Sequence, residues 1–127
     1  PIAAAWAVMH HLGDNGYARL TAAARSTALR MADFIDAHPA LELRARPDST
    51  LLCFGMSDEL RHDVFAVADA LNALGWYVDK QSPPKSIHLT VNAVHEKVVE
   101  EFLADLDDVV GSIGDASGST GSYGTVD

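Results

Sequence analysis

The fold of this chain is decided by the stretch WYVDKQSPPKSIHLTVN, residues 76 to 92. Apolar and polar residues alternate on both sides of its Ser-Pro-Pro-Lys centre, the apolar ones being Trp76, Val78, Ile87, Leu89 and Val91. A period of two is typical of a strand with one buried face. The prolines lack backbone donors and interrupt the pairing between the two runs. The sequence therefore predicts two strands, with His88 on the face opposite to the apolar one.

The flanking segments predict the remaining strands and helices. Leu41 to Ala45 alternates and predicts a half-exposed strand, while the apolar run from Thr50 to Phe54 predicts a strand buried on both faces. Apolar residues at spacings of three and four predict a helix over 17–37, a helix with Val64 to Leu74 as its stripe, and a helix from about 95 to 110. Ser57 or Asp58 is the expected N-cap of the second of these, and Gly75 its C-terminal residue.

The order of these elements predicts an α+β domain. A small, mostly antiparallel sheet of about four strands is covered on one face by helices. An apolar helix over 1–12 precedes it, closed by Gly13 and followed by a turn at 14–16. This first helix is apolar on most of its circumference and calls for burial on most of it, which so small a chain does not supply. We therefore expect self-association through Trp6 and Met9, or disorder of this segment.

Composition excludes several classes of function. The chain has 127 residues and a net charge of −9, which argues against binding to nucleic acid or to an anionic membrane by bulk electrostatics. No apolar run approaches the roughly 20 residues of a membrane span. The single cysteine, Cys53, fits a reducing compartment, and its apolar neighbours predict a buried, inert thiol. We expect a cytoplasmic protein.

The residues themselves predict no complete catalytic site. The histidines have no metal-like spacing, no serine lies in a nucleophile-elbow pattern, and no phosphate-binding glycine loop is present. His88 is either an exposed cross-strand residue or part of an interface or site. Residues 111–127 are rich in Gly and Ser, which predicts a flexible segment in which Tyr123 is the lone aromatic residue.

Several motifs, taken in order, resemble pyridoxal-phosphate-dependent group II decarboxylases, and most closely their sphingosine-1-phosphate lyase branch. The matching stretches are AAAWAVM (3–9), LGDNGY (12–17), the strand at 49–54, DVFAVADALNALGW (63–76), Gln81 and Pro83 with IHLTV (87–91), and TGSYG (120–124) with Val126 and Asp127. The resemblance covers nearly the whole chain. It implies the small carboxyl-terminal domain of a fold-type I enzyme over residues 1–110. Residues 111–127 then lead to a final helix that this chain lacks.

The resemblance also implies a function for the parent enzyme. It would cleave a carbon–carbon bond of a phosphorylated long-chain amino alcohol, as a homodimer whose large domain holds pyridoxal phosphate on a lysine that follows a histidine. Lys80, Lys85 and Lys97 follow Asp, Pro and Glu, so this chain is expected to be inactive alone and to bind no cofactor. The resemblance makes Tyr123 and His88 candidate substrate-binding residues of the parent. An amino-acid decarboxylase and a non-enzymatic interaction domain are the alternatives.

Overall fold

The computed structural model of this protein describes residues 1–59 and 61–120, and the backbone of residues 123 and 124. The elements come in the order α1 (Ile2–Ala37), β1 (Leu41–Leu43), β2 (Leu51–Met56), α2 (Val64–Ala73), β3 (Asp79–Ser82), β4 (Ser86–Thr90), a 3₁₀ helix (Ala93–Lys97), α3 (Val99–Ser112) and β5 (Tyr123–Gly124). Within the described ranges, every helix falls short of the combined length and apolar character that a membrane span requires.

The sheet confirms the predicted α+β class. Its strand order is β1-β2-β4-β3-β5. The first four strands pair antiparallel, and β5 adds a fifth strand parallel to β3. The strands β3 and β4 form a hairpin in which Asp79 lies opposite His88 and Gln81 opposite Ser86. The two prolines thus lie in the turn of a hairpin. Our expectation that they interrupt the pairing between the two runs is wrong, because the strands on either side of the turn pair with each other.

The register separates two faces of the sheet. The inner face carries one continuous core with the helices, including Leu52, Phe54, Met56, Ile87 and Leu89. Our expectation that the second strand is buried on both faces is wrong, because Leu51 is 55% exposed and Cys53 is only half-buried. The helices cover one face only, so alternate residues of β2 point away from the core.

The first helix is only partly integrated into this core. It breaks at Gly13, whose φ of 57° lies in the left-handed region. The predicted turn at residues 14–16 is wrong, since these residues are helical. Gly16 is buried, and a Cβ there would lie 2.9 Å from the Cβ of Leu12, so this small residue lets the chain pass closely at the break. Residues 1–11 are exposed, including Trp6 at 58% and Met9 at 52%.

The ends of α2 correct one prediction and confirm another. The N-cap is Asp63, not Ser57 or Asp58, and its Oδ1 accepts a hydrogen bond from the backbone N of Phe65 at 3.1 Å. At the other end, Gly75 has a φ of 100° and follows the helix as predicted. The position of this cap matters for function, because the second carboxylate oxygen of Asp63 holds another segment of the chain.

Candidate functional site

A groove of about 330 Å³ opens where the β3–β4 hairpin meets the 3₁₀ helix and α3. Its lining includes Trp76, Asp79, His88, Asn92, His95 and Phe102. His88 therefore lines a concave, partly polar groove, and its part in a functional site stays a prediction. Such grooves are where small ligands or extended segments bind in most proteins.

His88 lies in the middle of a row of three reactive side chains on the outer face. It is half-buried in β4, opposite Cys53 of β2 and Asp79 of β3. Cys53 is less buried than its apolar neighbours predicted. Among the residues that the structure describes, no three His, Cys, Asp or Glu side chains form a group able to hold a metal ion. The row therefore offers hydrogen-bonding and titratable groups rather than a metal centre.

The walls of the groove are fixed by hydrogen bonds. The indole Nε1 of Trp76 donates to Oδ2 of Asp105 at 2.6 Å, and the Trp76 ring meets the Phe102 ring edge-on, with centroids 5.3 Å apart. On the other side, Nδ1 of His95 accepts from the backbone N of Asn92 at 3.0 Å, within a capping box. A neutral His95 therefore carries its proton on Nε2. These contacts fix the positions of Trp76 and His95 in the walls of the groove.

Tyr123 and His88, the two candidate substrate-binding residues, do not lie in neighbouring strands. The backbone of Tyr123 pairs with Gln81 of β3, whereas His88 lies on the far side of β3, in β4. Two strand spacings amount to about 10 Å. The side chain of Tyr123 lies outside the described residues. The structure therefore places the backbone of Tyr123 in the same sheet as His88 and leaves its functional role a prediction.

A second polar cluster escaped the sequence analysis. Lys80, on the inner face of β3, forms an ion pair with Asp69 of α2 and donates to Oγ of Ser119 at 2.7 Å and to its carbonyl oxygen at 3.2 Å. The backbone N of Ser119 donates to Oδ2 of Asp69 at 2.7 Å. We call Asp69, Lys80 and Ser119 the Lys80 clamp. The clamp ties the Gly/Ser-rich segment to the helix and the sheet, so this part of the segment is not the flexible tail that composition predicted.

The alternation of residues at the start of β3 gave one indication of this cluster. Val78 and Lys80 share the inner face and are 6% and 5% exposed. A lysine at a position where the period requires an apolar residue needs a buried counter-charge, because an unpaired buried ammonium is very unfavourable. The sequence did not identify Asp69 as that partner, since it lies in another element.

A second ion pair extends the cluster towards the hairpin turn. Oδ2 of Asp63 accepts from Nζ of Lys85 at 3.1 Å and from the backbone N of Gly118 at 3.2 Å. Burial alone would raise the pKa of Asp63, but the hydrogen bonds from Phe65, Gly118 and Lys85 outweigh it and lower the pKa. These hydrogen bonds favour the charged form of the Asp63 carboxyl group.

The Asp69 carboxyl is perturbed in the same way. Burial acts to raise its pKa, and the hydrogen bonds from Lys80 and from Ser119, together with the charge of Lys80, lower it further than burial raises it. A carboxylate that accepts several hydrogen bonds is a good acceptor for a docked backbone segment. It is a poor general base, because its proton affinity is low.

The lysines do not fit a Schiff base with pyridoxal phosphate. Such a lysine needs a free, accessible amine. Lys80 is buried as the cation of an ion pair, and Lys85 pairs with Asp63 and lies 5.1 Å from the centroid of the Phe65 ring. Lys97 is exposed on the 3₁₀ helix, away from the groove lining. The residues described here therefore provide no covalent anchor for the cofactor.

Comparison with known proteins confirms the resemblance stated from the sequence. No family model matches the chain. The chain is 37% identical to sphingosine-1-phosphate lyase of Oryza sativa over 112 residues, 88% of this chain, and 33% identical to the protein of that name from Arabidopsis thaliana over the same share. It is also 29% identical, over 84% of its length, to a probable L-tyrosine/L-aspartate decarboxylase of Methanothermobacter thermautotrophicus.

The solved structures agree with these relatives. The structure of a sphingosine-1-phosphate lyase from Burkholderia pseudomallei superposes with a TM-score of 0.77 at 28% identity, and covers 87% of this chain and 24% of that one. The chain spans about 20% of the length of the plant lyases that it matches. It is thus similar to one part of those proteins.

Proposed function

We propose that this chain is the small carboxyl-terminal domain of a larger enzyme that cleaves phosphorylated long-chain amino alcohols, as a sphingosine-1-phosphate lyase does. The observation that carries the proposal is the similarity to such lyases over 88% of the chain, together with a shared fold. The relatives that we compared are enzymes, which favours an enzymatic parent over a free-standing interaction domain. We further propose a cytoplasmic homodimer, in keeping with the single free cysteine.

In the proposed reaction, the bond between the amine-bearing carbon and the adjacent hydroxyl-bearing carbon breaks. The hydroxyl group loses its proton and becomes the carbonyl of a long-chain aldehyde. The amine-bearing carbon gains a proton, and the second product is phosphoethanolamine. Pyridoxal phosphate supplies the electron sink for such cleavages. Because the lysines of this chain do not fit the cofactor, we place its anchor in another part of the enzyme.

Within this chain we assign substrate contacts to Tyr123 and His88. A tyrosine hydroxyl is neutral at pH 7 and donates a hydrogen bond to a phosphate oxygen without adding a buried charge. The glycines around Tyr123 allow a sharp approach of the backbone. His88 lies in the groove beside Asp79, where its ring can donate to a polar group of the substrate or of a neighbouring domain.

The test is aldehyde release by the intact enzyme that carries this domain. Purified enzyme with pyridoxal phosphate and a phosphorylated sphingoid base is expected to give aldehyde and phosphoethanolamine in equal amounts. Enzyme from which the cofactor has been removed is the control. If enzyme with full cofactor occupancy releases no aldehyde, the proposal is overturned.

A decarboxylase is the second candidate, and the archaeal decarboxylase relative favours it. That reaction releases carbon dioxide from an amino acid and needs no phosphate-binding group. Incubating the same preparation with L-tyrosine or L-aspartate and measuring carbon dioxide separates the two. Carbon dioxide without aldehyde supports the decarboxylase and excludes the lyase.

A further inference from the structure

The backbone of Gly118 packs so closely against the first turn of α2 that only a residue without a side chain fits there. A Cβ built on Gly118 would lie 2.1 Å from the carbonyl carbon of Phe65 and 2.3 Å from the backbone N of Ala66. Real Cβ atoms do not approach backbone atoms this closely, and backbone in a helix cannot move aside easily. Gly118 is therefore required for this contact, and the contact fixes where the segment crosses the helix.

Polar groups hold the segment at the same place. The backbone N of Gly118 donates to Asp63, and the backbone N and Oγ of Ser119 donate to Asp69 at 2.7 and 3.0 Å. Lys80 reaches Ser119 from the sheet. Hydrogen bonds to charged groups are about twice as strong as neutral ones. The carboxylates of Asp63 and Asp69 and the ammonium of Lys80 therefore hold two consecutive residues of the Gly/Ser-rich segment.

The docked residues restrict the position of the next strand, β5. Tyr123 is the fourth residue after Ser119, and a fully extended chain of that length spans at most about 14 Å. β5 pairs with Gln81 and Ser82, just beyond Lys80 in β3. Lys80 of the clamp and the two residues that pair with β5 are therefore neighbours along β3.

We infer that Asp63, Asp69 and Lys80 form a docking site for Gly118 and Ser119 of the chain's own Gly/Ser-rich segment, and that this docking positions the strand that carries Tyr123. The docking part stands on the contacts alone. The catalytic consequence rests on the proposed function, in which Tyr123 contacts the substrate phosphate. Asp69, Lys80 and Gly118 are then positioning residues, which act through Tyr123 and do not touch the substrate.

Hydrogen exchange tests the docking. In the purified chain, Gly118→Ala is expected to speed exchange of the Ser119 amide by about tenfold to a hundredfold, the loss of a hydrogen bond to a charged group. Core amides of β2 and β4 keep their protection. Gly111→Ala is the matched control, because a Cβ at Gly111 meets no atom within 4 Å. If Gly118→Ala unfolds the core, Asp69→Asn gives the same readout without added bulk. Unchanged exchange at Ser119 in a folded variant overturns the inference.

Kinetics of the intact enzyme test the consequence separately. Gly118→Ala is expected to lower kcat/KM for the phosphorylated substrate as Tyr123→Phe does, with a smaller effect on an unphosphorylated analogue. The double variant should be no slower than the slower single variant, because both remove one interaction. Faster exchange with an unchanged kcat/KM in Gly118→Ala, while Tyr123→Phe lowers kcat/KM, leaves the docking site standing and overturns the positioning role. An unchanged kcat/KM in Tyr123→Phe overturns the role of Tyr123. A loss that is equal for both substrates and additive in the double variant overturns the positioning role.

Discussion

Lys80 and Asp69 form an ion pair whose two side chains have very different surroundings, since that of Lys80 is 6% exposed and that of Asp69 is 42% exposed. Removing either partner leaves the other alone, but the consequences differ. A lone Asp69 can be hydrated, whereas a lone ammonium at Lys80 would stay under α2, next to the oxygens of Ser119 and the ring of Phe65 but without a counter-charge. The pair is therefore asymmetric in its contribution to stability.

This asymmetry predicts unequal effects of two substitutions. Asp69→Asn is expected to lower the free energy of unfolding by about 1–3 kcal/mol, because a buried charge loses its counter-charge. Lys80→Met keeps the packing volume and removes the charge, so its cost is expected to stay below about 1 kcal/mol. Urea denaturation at pH 7 measures both. Asp33→Asn, which breaks an exposed pair with Arg46, is the control and should leave the free energy of unfolding nearly unchanged, because solvent screens this pair. A larger loss for Lys80→Met than for Asp69→Asn contradicts this account.

A second prediction concerns acid. The folded pKa values of Asp63 and Asp69 lie below the ordinary value of 3.8. Because the folded chain lowers these pKa values, the two carboxylates stabilise docking fully when the pH is above their ordinary pKa. This stabilisation is lost as the pH falls through the lower pKa values of the folded chain. The cationic side chains that face these carboxylates are Lys80, which pairs with Asp69, and Lys85, which pairs with Asp63.

We therefore expect the segment around Ser119 to detach below pH 3.8, while it stays docked from pH 5 to 7. Backbone ¹⁵N relaxation of Gly118 and Ser119 across this range measures the detachment. In Asp69→Asn the transition at Ser119 should be weaker, since one of the two titrating acceptors is gone. Detachment near neutral pH, where neither carboxyl group takes up a proton, contradicts the assignment.

A third prediction concerns the first helix. Trp6 and Met9 are exposed, one helical turn apart, on a helix with no basic or acidic residue in its first turn beyond the terminus. Exposed apolar patches of several hundred Å² usually bind a partner. The purified chain is expected to self-associate at micromolar concentrations, and a Trp6→Ala/Met9→Ala variant should do so less. Sedimentation velocity measures this, with Val94→Ala, at a 71% exposed site on the 3₁₀ helix, as control. Equal association of all three proteins contradicts a role for this surface.

Much of the fold arises from local patterns. The alternation over residues 87–91 predicted β4, and the spacing of apolar residues predicted α2 and α3, because each pattern reflects one face turned towards one core. The alternation of Trp76 and Val78 predicted a strand too early, since β3 begins at Asp79. Gly75 was predicted as the end of α2 for an equally local reason. These elements needed no knowledge of their neighbours.

The remaining features depend on contacts that are distant in sequence. Asp63 caps α2 in place of Ser57 or Asp58, and it also binds Gly118, which is 55 residues away. β5 forms only because β3 has a free edge beside it, so the composition of residues 111–127 could not predict it. For the site, the alternation placed His88 on the outer face. The groove beside it is built by Trp76 between α2 and β3, Asn92 before the 3₁₀ helix, and Phe102 in α3, which are distant in sequence.

The fourth prediction concerns the cofactor. The purified chain alone is expected to retain no pyridoxal phosphate, because Lys80 is buried in an ion pair, Lys85 pairs with Asp63 and Lys97 lies outside the groove. After mixing and gel filtration, the Schiff-base absorbance should be absent and no aldehyde should form. The Lys80→Met variant should behave as the wild type does. A stoichiometric band that survives filtration, and is lost in Lys80→Met, contradicts our view of this lysine.

The last prediction concerns Tyr123 in the intact enzyme. If its hydroxyl donates to the substrate phosphate, Tyr123→Phe removes one hydrogen bond to a charged group, which contributes about 1.5–3 kcal/mol. The corresponding loss in kcat/KM is about tenfold to a hundredfold. The loss should be smaller for an unphosphorylated analogue, because that substrate lacks the acceptor. Tyr17→Phe, on the exposed surface of α1, is the matched control and should change neither rate. A kcat/KM within about twofold of the wild type for Tyr123→Phe, a difference worth only about 0.4 kcal/mol, means that the hydroxyl makes no such contact. Tyr123 then serves only to carry the chain along the edge of β3, where its backbone pairs with Gln81.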